Sequence, residues 1–489
     1  MTSPTRLTRG EASTPAQGRR CSLSQATISF FALLVVTTAC LACGCASSSK
    51  DRAPDRVFPP APQYPPDHRY TLDELVTVSV HRNASLDVSR YEAEAAQGLV
   101  DQVKALWLPQ LRFDFAALAY SNDLNYEANA FNLATLNVPI TGSYNFVNSL
   151  AFSQLLYTGG KRTSGLKQAK MYAEIKRLDV LRQQDAVAFD VANFYHLVCL
   201  TTEIDVVLED ALRRVRVYRQ VSDNLTQRGS LRASNLDRLQ ADYFIAQLEQ
   251  FRSFAQAGRQ QAYEALKHFV GVARNEPLVL KEAGLVPALT APELLSAYVT
   301  VTRGFLERPE AKQLDLFAEI RKEQVTFAKA AWNPNVVILG TYVDSQGDNN
   351  SILGAIDGLI ASLVVDVPIY DAVRLGRLRE ALGLEQASLA FQRRFEELIT
   401  LEIEVTAIDA QKALVNEMKA GRARAAATEH YDATRQAYSR ELVPGSAVVT
   451  AIGLDMLAKV QHLQALYAYH DSRARLKRVT ADREAQYGY

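Results

Sequence analysis

Apolar residues recur along this chain with two different periods, and the switch between them happens twice. Between Gly165 and Gly229 lie 63 residues without glycine or proline. At ~1.5 Å per residue, a continuous helix there is about 95 Å long. Val187, Val191, Phe194, Val198, Ile204, Leu208, Leu212 and Val215 follow one another mostly in steps of three and four, close to a heptad seam. Gly229 interrupts the run, and a second helix is predicted from about Leu231 to Val270. Pro277, Pro287 and Pro292 mark a connecting segment. The second half repeats the plan. A helix is predicted from about Pro292 to Ala331 with a break near Pro309, then one from Val373 to Glu441. Pro444-Gly445 breaks the pattern, and a last helix runs from Ala447 to about Glu484.

Ahead of each long helix the period drops to two. In "LRFDFAALAY", Leu111, Phe113 and Phe115 alternate with Arg112 and Asp114. In "SYNFVNSLAFS", Tyr144, Phe146, Leu150 and Phe152 oppose Ser143, Asn145, Ser149 and Ser153. The second half has "VVILGTYVDS" and "LIASLVVDVPIY", where Leu359, Leu363, Val365 and Val367 oppose Ser362 and Asp366. Strands are predicted at about 110–120, 143–157, 335–345 and 358–370. Ten-residue runs that are apolar on one face and small or polar on the other are the signature of membrane β-strands, and soluble hairpins show a similar alternation. The polar segments 121–142 and 345–358 read as solvent-exposed hairpin loops.

The chain is therefore a duplicated helix-strand-strand-helix-helix repeat, with copies at 70–275 and 276–489. Pro109 matches Pro334, Tyr157 matches Tyr370 and Gly229 matches Gly445. The only two tryptophans, Trp107 and Trp332, each stand three residues after a lysine and two before a proline. Proline removes a helix hydrogen bond and biases its predecessor towards extended geometry, so Lys-Ala-x-Trp-x-Pro fits a helix-to-strand joint. A tryptophan there suits either a membrane interface or packing between helices below it. Gly159-Gly160 permit the strand-to-helix turn of the first copy, with Lys161-Arg162 hydrated at the boundary. Tyr370-Asp371-Ala372-Val373 lacks that glycine pair.

Four strands do not close a membrane barrel, because about eight are needed and open edges in lipid leave backbone groups unpaired. Three chains would pool twelve strands, an even number that closes.

The N-terminus changes the picture further. Arg6, Arg9, Arg19 and Arg20 flank the apolar stretch "ATISFFALLVVTTACLA", which reads as a secretory signal. "LACGCASSSK" resembles a bacterial lipoprotein processing site, giving a signal peptide over 1–44 and a lipidated Cys45; Cys43 and plain cleavage are the alternatives. Ala46 rather than aspartate follows Cys45, which in such lipoproteins implies the outer membrane. Residues 45–69 form the anchor and a linker, of which 51–66 hold six prolines and read as a semi-rigid spacer.

Composition excludes several functions. Lys+Arg and Asp+Glu balance at 54 each, so no excess of basic charge points to nucleic acid. Only Cys199 follows residue 50, which excludes a disulfide framework for the body. The seven histidines show no metal spacing, and no nucleophile motif is present. "TGGKRTSG" fails as a phosphate loop, because Leu155 stands where the first glycine belongs and Arg162 follows the lysine. No enzyme site and no cofactor are implied.

From about Tyr70 to Glu484 the chain resembles the TolC-type outer-membrane efflux factors. The resemblance rests on "YTLDELVTVSVHRNASL", "LWLPQL", "LLYTGGKR", "LTQRGSLRASNLDRLQADY" and "VPIYDAVRLGRLREA". It implies a fold of α-helix plus membrane β-barrel: a homotrimer with a 12-stranded β-barrel and a long periplasmic α-barrel, docking a periplasmic adaptor and an inner-membrane pump. The turns at Gly229 and Pro444-Gly445 are then the periplasmic tip. Asn235, Asp237 and Asp455 are candidates for a constriction just beyond it. Lipidation tilts the expected cargo towards small, drug-like molecules. The rival reading is a periplasmic coiled-coil adaptor or scaffold without a pore.

Overall fold

The computed structural model describes residues 64–65, 68–119, 125–130, 134–139, 144–227, 235–273, 275–281, 284–285, 308–347 and 357–480. The signal segment, Cys45, most of the linker and Gly229 lie outside them. In chain order the elements are β1 (Arg69–Tyr70), α1 (Leu72–Arg82), α2 (Ala84–Ala105), β2 (Gln110–Ala119), β3 (Asn125–Ala130), β4 (Ala134–Pro139) and β5 (Tyr144–Tyr157). They continue with α3 (Lys161–Gln227), α4 (Asn235–Val270), β6 (Val279–Leu280), α5 (Pro309–Ala330), β7 (Asn335–Gly347), β8 (Asp357–Asp366), α6 (Ala372–Ser439) and α7 (Gly445–Thr480).

The duplication shows in matched helix lengths. α2 and α5 have 22 residues each, α3 and α6 have 67 and 68, and α4 and α7 have 36 each. A 67-residue helix is about 100 Å long. Gly165 does not delay α3, and Gly376, Gly383 and Gly421 do not interrupt α6. An isolated glycine costs only ~1 kcal/mol in a helix, less than the packing around it supplies. α5 begins with Pro309 in its first turn, where the missing N–H is one the helix leaves unbonded anyway.

Strands β2, β5, β7 and β8 form one antiparallel sheet in the order β2-β5-β7-β8. Its central pair joins the two copies, and β2 and β8 are its open edges. The last strand ends at Asp366, short of the predicted 370, because Pro368 has no N–H for a ladder. The segment expected as a polar loop, 121–142, contains the antiparallel pair β3 and β4. Its asparagine-rich composition hides a pairing that rests on the backbone. A two-residue parallel pair, β1 with β6, was also invisible in the sequence.

α3 is the central helix, packed by α1, α2, α4, α5 and α7. One hydrophobic cluster gathers Val187, Val191, Tyr195, Val198 and Cys199 with Leu75, Leu86, Leu266, Val270, Leu463 and Leu466. Another joins Leu208, Leu212, Val215 and Tyr218 to Leu248, Val448, Val449 and Ile452. Six of the eight seam positions read from the sequence are buried; Phe194 and Ile204 are half-buried. Burying each such side chain contributes about 1.5–3 kcal/mol. α3 is also long and apolar enough to cross a membrane by length and composition, and these neighbours cover the seam positions of its apolar surface.

Candidate functional site

The strand register sorts the sheet into two faces, because directly paired residues lie on the same side. One face carries Leu111, Phe113 and Phe115 from β2, with Phe152 opposite Leu111 and Leu150 opposite Phe113. It continues through Tyr342, which pairs Leu150, to Leu359 and Leu363 on β8. Phe152 is half-buried and the others are exposed, Leu111 by 69%, Phe115 by 60% and Leu359 by 74%. The other face carries Arg112, Asp114, Ser149, Thr341, Ser362 and Asp366. Among the described residues this sheet has a bare aromatic and aliphatic face and two unpaired edges, which is not a finished structure in water.

Where helix meets strand, the two copies build the same joint. α2 ends in a turn in which Trp107 N donates to Lys104 O (3.0 Å) and Leu108 N to Ala105 O (2.9 Å). Pro109 follows, and β2 starts at Gln110. In the second copy Trp332 N donates to Lys329 O (3.2 Å), Pro334 follows, and β7 starts at Asn335. Both tryptophans are half-buried.

The sequence reading missed the clamps on these turns. Arg162 Nη1 donates to Leu106 O (3.2 Å) and Leu155 O (2.8 Å), and its guanidinium lies 4.2 Å from the Trp107 ring centroid. Arg374 Nη1 donates to Ala331 O (2.6 Å). Leu106 and Ala331 are the C-caps of α2 and α5 and precede the two tryptophans. An arginine in the first turn of each long helix thus caps the preceding helix, satisfying a carbonyl that a helix end leaves free. Matching Tyr157 to Tyr370 places the two arginines within one position of each other, so the signal was there to be read.

Gly159 and Gly160 have φ of +63° and +98°, the region that favours glycine. A Cβ on Gly159 would lie 2.1 Å from Asn333 Cβ, and Asn333 Nδ2 donates to Gly159 O (2.8 Å). The first copy's strand-to-helix turn is therefore pressed against the second copy's helix-to-strand turn. Lys161, expected to be hydrated, is half-buried and donates to Asn335 Oδ1 (2.8 Å); burial and then Arg374 push its pKa down, with Asp366 opposing. α6 starts differently: Asp371 Oδ1 accepts from Val373 N (2.9 Å) and Arg374 N (3.4 Å), a side-chain N-cap in place of the glycine pair.

At the far end, Gly445 does not terminate a helix. α6 is closed by Glu441, a non-glycine residue with φ +67°, and by Leu442 N donating to Ala437 O (2.9 Å). Gly445 follows Pro444 and opens α7, where a Cβ would lie 1.9 Å from the Tyr218 hydroxyl of α3. The glycine is demanded by close approach. Tyr218 also neighbours Tyr438 (ring centroids 6.1 Å), and its pKa is raised by burial and then by the Asp237 carboxylate. Asn235 begins α4, is exposed and accepts from Arg238 Nε (3.2 Å); Asp237 is half-buried.

Asp455 departs from the expectation of a constriction carboxylate. It is 2% exposed. Its oxygens accept from Arg214 of α3 (3.1 Å), Thr428 of α6 (2.7 Å) and Lys459 of α7 (2.7 Å). Burial raises its pKa, but Lys459, Thr428 and Arg214 outweigh that and hold it below the usual carboxylate value. A carboxylate so enclosed joins three helices and presents no charge at a surface. Among the described residues no cluster of potential metal ligands is found.

Among the described residues, α6 carries a second unpartnered apolar surface. Leu384, Phe391, Leu398 and Val405 are exposed at seven-residue spacing, as are Leu401, Ile408 and Val415. Its other side packs on α7, where Ile399 and Ile403 meet Val479 and Ala413 and Leu414 meet Tyr469, and it also contacts α5.

A duplicated chain with a four-stranded sheet continuous with two long helical hairpins has the protomer fold of the TolC-type outer-membrane channels. Among solved structures, the chain is similar to a membrane protein from Pseudomonas aeruginosa, with 15% identity over 86% of this chain and 99% of that one and a TM-score of 0.71. The Campylobacter jejuni CmeC outer membrane channel matches with 14% identity, coverage of 84% and 85%, and a TM-score of 0.68. The outer-membrane channel OprN matches with 17% identity, coverage of 88% and 98%, and a TM-score of 0.68. At these identities the likeness establishes the fold. No family model and no curated protein matches the chain.

Proposed function

We propose that this protein is the outer-membrane channel component of a tripartite export system, a homotrimeric passive conduit for small, drug-like molecules. The observation that carries the reading is the sheet: four strands with a bare apolar face and two open edges. Open edges are forbidden in lipid. Three copies joined edge β2 to edge β8 give twelve strands and no edges, with Leu111, Phe113, Leu150, Tyr342 and Leu359 towards lipid and Arg112, Asp114, Ser149 and Ser362 towards the lumen. The heptad stripe of α6 then packs on the neighbouring subunit, extending the barrel as a helical tube into the periplasm.

Acyl chains on Cys45 add a second hold on the outer membrane. The tip around Asn235, Asp237 and Pro444-Gly445 meets a periplasmic adaptor and, through it, an inner-membrane pump, and Asn235 and Asp237 line the constriction. The solved neighbours named as outer-membrane channels support this reading. A pore-free coiled-coil scaffold would leave the apolar sheet face and both edges unused.

The test is planar-bilayer conductance of the purified, detergent-extracted protein, with its mass measured in the same detergent. Trimers with discrete conductance steps are expected. A Cys45→Ala variant that leaves the membrane without detergent, as a monomer with no conductance, would overturn the proposal.

A further inference from the structure

The polar face of the sheet carries an ion pair on its edge strand. On β2, Arg112 Nε donates to Asp114 Oδ2 (2.8 Å), and the two side chains are 77% and 47% exposed. They stand two positions apart, so both project from one face, opposite to Leu111, Phe113 and Phe115. Their direct partners on β5 are small: Ala151 beside Arg112 and Ser149 beside Asp114. The two rows continue through Thr341 and Ile360, and through Val343 and Gly358, none of them charged. None reaches as far from the backbone as an arginine, so the pair stands above its own sheet. Asp366, the other charged residue of this face among the described residues, lies at the helical end of β8, where Asn335 Nδ2 donates to it (3.3 Å).

Joining β2 of one copy to β8 of the next puts one such pair at each of three seams. Twelve strands spaced ~4.8 Å apart and tilted about 40° enclose a backbone radius of about 12 Å. Side chains that point inward from such a wall end within about 10 Å of the axis, which is also the screening length at ~0.1 M salt. Their fields therefore reach across the lumen. Rings of charge lining a pore decide which ions pass.

Taking the trimeric barrel proposed above, we propose that Arg112 and Asp114 form its charge filter, a ring of three zwitterionic pairs that lets cargo of either sign past this level of the lumen. Each arginine cancels the aspartate two residues away, so the ring adds no net charge. With either partner removed, a ring of one sign remains. Three unit charges about 10 Å from the axis, screened at ~0.1 M salt, change the cation-to-anion ratio there by about five-fold. A small molecule carrying both an ammonium and a carboxylate finds a counter-charge for each at the paired ring. A ring of one sign would repel one of the two. The class of cargo this filter admits is therefore cationic, anionic and zwitterionic small molecules alike.

The test is the reversal potential of the full-length, detergent-extracted protein in a planar bilayer, under a roughly fourfold KCl gradient around ~0.1 M. Relative to wild type, Arg112→Gln is expected to raise the potassium-to-chloride permeability ratio by about five-fold, and Asp114→Asn to lower it by about five-fold. Exchanging the two, Arg112→Asp with Asp114→Arg, restores the wild-type ratio because the ring stays paired. Single variants that conduct with the wild-type ratio, or that both shift it in one direction, overturn the filter and leave the channel standing. Should a single variant fail to insert, charge is added after insertion instead. Ser149→Cys, on the same row as Asp114, is treated with a cationic or an anionic thiol reagent and the labelling confirmed by mass. Opposite shifts of the ratio support the filter. A labelled channel with an unchanged ratio overturns it, as does a thiol that neither reagent reaches, since that row would then face lipid. Wild type without conductance overturns the channel reading itself, and the filter falls with it.

Discussion

α3 and α6 are the same helix built twice, 67 and 68 residues long, yet they live in different surroundings. Among the described residues, α3 is packed by five helices of its own chain and α6 by two. Six of the eight seam residues of α3 are buried, although Val206, Val217 and Val221 are exposed; on α6, Leu398, Val405 and Ile408 stand exposed in heptad rows while Ile399, Ile403 and Leu414 are buried. The asymmetry is what the proposed assembly requires, in which one chain is not the packing unit. Adding the second repeat completes the surroundings of α3, while α6 follows the edge strand β8 and, in the proposed assembly, takes the same completion from another molecule.

The sharpest way to break this comparison is to put charge on both helices. Val191→Glu or Leu212→Glu on α3 is expected to abolish folding, seen as loss of the soluble detergent-extracted protein. Leu398→Glu with Ile408→Glu on α6 should leave the helical circular dichroism intact and abolish the trimer in light scattering. If the α6 pair is instead as trimeric as wild type, the edge assignment fails.

A smaller effect is expected at the contact between hairpins. Asp455→Ala leaves Arg214 and Lys459 facing a buried void, a loss of about 3–5 kcal/mol in denaturant unfolding. Because the Asp455 pKa is lowered, its contribution is present above the ordinary carboxylate value and disappears as pH falls through the folded one. Thr428→Val should cost less, about 1–3 kcal/mol.

The glycines sharpen the same contrast with opposite signs. Gly159→Ala is expected to destabilise by about 1–3 kcal/mol, because its φ is +63° and Asn333 occupies the space. Gly376→Ala on α6, where nothing lies within 4 Å, should stabilise by about 0.5–1 kcal/mol in the same assay. Arg162→Met should lose more than Arg374→Met, since Arg162 serves two carbonyls and a tryptophan face, whereas Arg374 serves one carbonyl and a half-exposed ion pair with Asp371. Each carbonyl bond is worth about 1.5–3 kcal/mol.

Much of the fold was legible in the chain. The absence of glycine and proline between 165 and 229 announced α3, and the period of two placed all four strands of the main sheet within a few residues. The site residues were legible unevenly. Pro109 and Pro334 are at joints because proline's constraints are local. Asp455 looked like a constriction acid because it follows the second turn, yet Arg214, 241 positions earlier, draws it inside. Gly445 looked like a stop signal, and it is shaped by Tyr218. The clamps Arg162 and Arg374 went unread because a lysine or arginine at a helix start has many ordinary uses.

By itself, then, the sequence determined what depends on neighbours a few positions away: helix lengths, strand alternation, the duplicated joints and their prolines. Helical and strand periods are set by backbone geometry and show directly in residue spacing. Only the tertiary structure decided which face of each helix is covered, which carboxylate is neutralised and which glycine is demanded by close approach. Those outcomes depend on side chains brought together from opposite halves of the chain, and a Coulomb or steric term between them leaves no period to read.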